Sequence, residues 1–366
     1  MRASLPAGRL FTLGPAFAAF TLALAPIVPQ AQKQLPPVQF NPPTQEQKDA
    51  AAARPVFEFH SGFWVNLHHV LYEQARLKQQ KPTNRGGGTA GAPGTGTNRE
   101  RAGANSPEWT AALNFYITEM GDRDLLFDTR MNEINNRLAQ LEACEDLSGR
   151  SDPDCTSSLD HDLVQALERA APVYREKWWT EDDLANRAWI AAVAPLVRQI
   201  GKPLAEKLSE VYRSQWPRNS ILVDVAVYGG PLGAYTTLDP LHITISSTDR
   251  RNQGLAGFEI LFHESSHALA GSVQQQIIRD CRAANKPIPR DLWHALLFYT
   301  TGSLVKQLLQ KSAAPGSAGY TPYAVRNELY ARGWQDYQRV LERFWQPYLD
   351  GKTDFDQALE QLVGGL

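Results

Sequence analysis

The feature that most limits the fold is a change of period between residues 221 and 247. There "ILVDVAVYGG", "AYTTLDP" and "LHITISS" are short, rich in β-branched residues, and separated by Gly-Gly-Pro and Asp-Pro turns, the pattern of two or three strands in a small sheet. Nearly everything else spaces its apolar residues for helices. "FEFHSGFWVNLHHVLYEQARLKQQ" carries a predicted buried stripe of Phe63, Leu67, Val70 and Leu71. "SPEWTAALNFYITEM" opens with a Ser-Pro-Glu helix start. No repeat period emerges. The expected fold is mainly α with a small β-sheet (α+β), the strands lying directly before a helix that begins near Gly254 and runs to Asn285.

Of the 366 residues, 1–31 read as a signal peptide, with Arg2 and Arg9 ahead of an apolar run. An uncleaved N-terminal anchor is the alternative, and both place the folded part outside the cytoplasm, secreted or periplasmic. No second segment is long and apolar enough to span a bilayer. Residues 32–55 form a Pro-rich linker. Residues 56–220 form a helical region with a flexible Gly-rich loop at 84–106, and 221–366 hold the strands and the motif discussed next. One continuous domain from residue 56 is the alternative division. A net charge of −2 gives no footprint for nucleic acid. Cys144 and Cys155 bracket the polar "EDLSGRSDPD" and are expected to form a disulfide in an oxidising compartment, leaving Cys281 as a buried thiol.

The motif is His263-Glu264-Ser265-Ser266-His267. On a helix, residues four apart share a face about 6 Å apart, so both imidazoles can reach one metal. Glu264 sits about a hundred degrees further round, beside the open coordination position, where it can exchange protons as general base. Phe258, Phe262, Leu269, Val273 and Ile277 recur at helical spacing and supply a buried face. The competing reading is a polar stripe with no metal.

Strand, loop, then a His-Glu-x-x-His helix resembles the zincin metallopeptidases over roughly residues 221–345. The resemblance implies Zn2+, a peptide or protein substrate paired along the strand near residues 243–247, His263 and His267 as ligands, and Glu264 as base. Ala270 and Val273 stand where the metzincin branch needs Gly and His, which leaves the gluzincin branch, with its third ligand on a later helix.

Two candidates for that ligand rank equally. Glu328 in "RNELYARG" resembles the Asn-Glu-x-x-Ala form of gluzincin ligand helices, although Arg332 replaces an expected Asp. His294 in "RDLWHALLFYTTG" lies closer in sequence. His68, His69 and Asp280 are lesser candidates. If the motif helix ran straight to residue 285, its return helix would meet His267 near Ser303, where no carboxylate is available. Glu259 lies too far along the helix to share the first shell, His68 and His69 suit packing, and Tyr320, Tyr323 and Tyr330 are candidate oxyanion donors.

The expected function is therefore a secreted or periplasmic zinc-dependent peptidase. Its rivals are a zinc hydrolase of another substrate, an inactive zincin-like protein, and a non-enzymatic helical scaffold.

Overall fold

A computed structural model describes residues 54–79, 106–312 and 317–366. The signal segment, the linker up to residue 53 and the Gly-rich loop up to residue 105 lie outside the described residues. Among those described, no helix is long and apolar enough to cross a membrane.

The chain is mainly helical around one four-stranded mixed sheet. The strands are β1 (Phe57–His60), β2 (Ile221–Ala226), β3 (Ala234–Leu238) and β4 (Leu241–Ser246), in the order β1-β2-β4-β3. β1, β2 and β4 run parallel, and β3 folds back antiparallel on β4 with Thr236 opposite Ile243. Two expectations are corrected. A fourth strand, β1, comes from "FEFH", whose partner lies some 160 positions away in sequence and leaves no local signal. And the strand at residues 243–247 is internal: β4 has neighbours on both sides, so the edge strand on that side of the sheet is β3, β1 being the other edge.

The two faces of this sheet differ. Phe57, Ile221, Val223, Val225, Ile243 and Ile245 point into the larger apolar core. The alternate positions are mostly polar, with His60, Asp224, His242, Thr244 and Ser246 on the opposite face beside Leu222 and Ala226, as the period of two requires. Two helices cover that polar face. Helix α1 (Phe63–Gln79) is buried on every side from Phe63 to Ala75, so the expected single stripe understates it. Its Asn66 Oδ1 accepts from Val227 N, and His69 Nε2 meets Tyr235 OH at 2.9 Å. The shorter helix Thr129–Gln140 donates from Asn135 Nδ2 to Thr244 Oγ1.

Helices Pro107–Glu119 and His161–Tyr174 pack on α1 in a second apolar cluster on that same side, and the helices from Thr180 onward carry the apolar face. Helix α2 (Pro107–Glu119) begins as expected, with Ser106 Oγ accepting from Trp109 N and Pro107 in the first turn. From His161 to Tyr212 three helices follow, joined by π-helical turns at Arg175–Trp179 and Val197–Gly201. Pro172 and Pro195 lie inside the helices just before those turns, and each removes one backbone donor from its own helix. Residues on both sides of position 220 share the sheet and the larger core. Cys144 and Cys155 are bonded, and Cys281 is free and buried.

Candidate metal centre

The motif lies on helix α3 (Leu255–Ser266), and every residue from Ala256 to Ser266 is buried. Its first turn comes so close to the preceding loop that a Cβ on Gly257 would lie 2.4 Å from Asn252 O. The expected continuous helix to residue 285 is not formed. A 3-10 turn, His267–Leu269, interrupts it, and helix α4 (Gly271–Ala283) starts afresh. A Gly-Ser pair is a common site of such breaks, and here Gly271 is followed by Ser272, whose hydroxyl donates to Tyr212 O.

After a short connection, helix α5 (Leu292–Ser312) returns antiparallel to α3. His294 lies opposite His267, Phe298 opposite His263, and Gly302 opposite Glu259. Gly302 permits the approach, because a Cβ there would sit 2.7 Å from Pro322 and 3.0 Å from Glu259. α5 packs mainly on α3 and little on α4, and its first turn, not Ser303, meets the motif.

Three imidazoles consequently converge. One nitrogen from each of His263, His267 and His294 falls within 4.8 Å of the others. The Nε2 atoms of His263 and His294 are 3.2 Å apart. Two ligands about 2.05 Å from a tetrahedral ion stand roughly 3.3 Å apart, so this spacing suits a shared metal. Burial holds all three imidazoles below their usual range, His267 to about 3 and His294 to about 4. They are thus neutral, the form that ligates. A simple hydrogen bond between His263 and His294 would explain that one distance, but not the convergence of His267 on the same point. The residues fit a metal ion.

Glu264 completes the site. Its Oε2 is 3.9 Å from His267 Nε2 and accepts a hydrogen bond from the Thr236 hydroxyl at 2.7 Å. The same hydroxyl is 2.9 Å from the Glu264 carbonyl oxygen. Burial pushes the carboxyl up to about 7, against the opposing effect of Thr236. Thr236 belongs to the edge strand, and sequence alone could not show which of two adjacent threonines faces the motif.

The other candidates lie elsewhere. Glu328 is exposed, with a left-handed backbone at the start of the short helix Leu329–Gly333, and is not in the converging group. Asp280 accepts from Gln276 on α4. His68 and His69 sit on the far side of the sheet, where His68 Nδ1 meets Tyr116 OH at 2.8 Å. Glu259 is buried, not solvated: it accepts from Tyr320 OH at 2.6 Å and from Tyr323 N at 2.9 Å, and its carboxyl is pushed up to about 7 by burial. It ties the segment after α5 to the motif helix. Tyr323 OH is engaged with Asn252 Oδ1, so neither Tyr320 nor Tyr323 offers its hydroxyl to the triad. Aromatic rings missed in the sequence surround the ligands: Phe298 on His263, and Trp293 and Trp334 beside His294.

Compared with known proteins, the chain matches no protein-family model, no curated protein and no solved structure.

Proposed function

We propose that this chain is a zinc-dependent peptidase, with His263, His267 and His294 as ligands and Glu264 as general base. The observation that carries the reading is the convergence of three neutral imidazoles beside one buried carboxylate. A bound zinc ion supplies Lewis acidity, acidifying water and polarising a carbonyl. Glu264 takes the proton from the attacking water and delivers it to the leaving amine. Thr236 holds that carboxylate on the side of the sheet edge. β3 has an unpaired margin, and an extended peptide added there would lie against both Thr236 and Glu264. The N-terminal pattern of Arg2 and Arg9 ahead of an apolar run, read as a signal, supports a secreted or periplasmic site of action.

The third ligand departs from the gluzincin pattern, because His294 stands where that branch uses Glu. This favours keeping a second reading in play, a zinc hydrolase acting on another substrate.

Glu264→Gln tests the mechanism. Zinc content should stay at the wild-type level while chelator-sensitive peptide cleavage falls by about 10²-fold or more, the scale of general acid–base catalysis. Cleavage at the wild-type rate by this variant would remove the proposed base. Zinc binding without cleavage of any member of a broad peptide library would favour the second reading.

A further inference from the structure

A metal-ligating histidine ordinarily donates its second ring N–H to a carboxylate or a backbone carbonyl, which fixes the ring. His263 does not. Its Nδ1 is buried and has no hydrogen-bond partner, while its Nε2 points toward His294. Nor does any described residue accept a hydrogen bond from the Nδ1 of His267 or His294.

What holds His263 is a ring face. Phe298 lies 3.4 Å from it, centroid to centroid, with the planes tilted by 16°. Phe298 is itself fixed from behind. It stacks on Tyr323 at 5.8 Å and 15°. Tyr323 in turn is anchored through its backbone N–H to Glu259 and through its hydroxyl to Asn252. Glu259 is on the same helix as His263, one turn earlier, so the support closes on itself. A ring with its edge unpaired but its face covered can slide little and rotate little.

We infer that Phe298 is a positioning residue of the metal centre, orienting His263 by stacking where a hydrogen bond to Nδ1 would otherwise do so. This rests on the triad binding a metal, and it is independent of whether the protein cleaves peptides. Two consequences follow. Zinc affinity depends on an aromatic side chain at position 298, not merely on a large apolar one. And the His263 Nδ1 proton, lying over the Phe298 ring with no acceptor, is shielded.

Chelator-competition titration of the full folded chain with Zn2+ tests the first. Phe298→Met, similar in bulk but without a ring, should bind about 10–100-fold more weakly, the loss typical when a ligand's outer support is removed. Phe298→Tyr should restore wild-type affinity, and the metal-free melting temperatures of the two variants should agree. Wild-type affinity in Phe298→Met, or failure of Phe298→Tyr to restore it, overturns the role. If Phe298→Met does not fold, proton–nitrogen correlation spectra of zinc-loaded, histidine-labelled wild type decide. An upfield Nδ1 proton on His263 supports stacking, and a strongly downfield, hydrogen-bonded one overturns it. Wild type that takes up no zinc overturns the metal centre, and this role with it.

Discussion

Two sets of three histidines sit on opposite faces of one sheet, and they are built in opposite ways. On the polar face, His69 is bonded at both nitrogens, to Val65 O and to Tyr235 OH. His242 is likewise held at both, by Asp224 Oδ2 at 2.6 Å and by Asn136 Oδ1 at 3.0 Å, and His68 meets Tyr116. On the apolar face, His263, His267 and His294 direct nitrogens at each other, and no described residue accepts from the buried Nδ1 of His263. Burial does not separate the two sets, since His68, His69, His242 and His263 are all inaccessible. The fate of the ring nitrogens does. His69 and His242 spend both nitrogens on neighbours and His68 spends one, its Nε2 having no partner, whereas His263, His267 and His294 each turn one nitrogen toward a common point.

The sharpest way to break that contrast is to delete one member of each set. His267→Ala should abolish stoichiometric zinc binding, measured by metal analysis of the purified protein. His242→Ala should keep zinc but lose about 3–5 kcal/mol of stability in urea melts, because Asp224 is left buried without its partner. Zinc loss in His242→Ala with an intact fold would erase the distinction.

A smaller effect concerns acid. Burial lowers His69 to about 4 from its ordinary 6.5. Above 6.5 the imidazole is neutral whether the chain is folded or not. Below it the unfolded chain gains a proton that the folded one refuses until about pH 4. Stability from this group is therefore present above 6.5 and lost as pH falls through the folded value, by about 3 kcal/mol in all. His69→Gln should flatten the decline in melts between those limits, and an unchanged slope would show that His69 does not contribute to it. Smallest of all, Glu328→Gln should leave zinc affinity unchanged and stability within about 0.5 kcal/mol, as for most exposed positions. A loss of zinc there would return the third-ligand role to Glu328.

Much of this was legible in the sequence, and what was not has local causes. The change of period at residue 221 identified β2 to β4, since alternation is a property of the segment itself. β1 was hidden because four residues establish no period and their pairing is long-range. The pair His263 and His267 was legible because one helical turn fixes their geometry. His294 could not be separated from Glu328, since the choice turns on which turn of a later helix meets the motif. Thr236 and Phe298 were invisible for a related reason: each matters only through a partner on another element.

The outer margin of β3 has a cost beyond its proposed use. Ala234 to Thr237 are themselves buried, but Leu232 and Leu238 near its two ends are 66% and 59% exposed. Exposed leucines beside a sheet edge are a seed for self-association. Crowded or partly unfolded protein should therefore aggregate first along that rim.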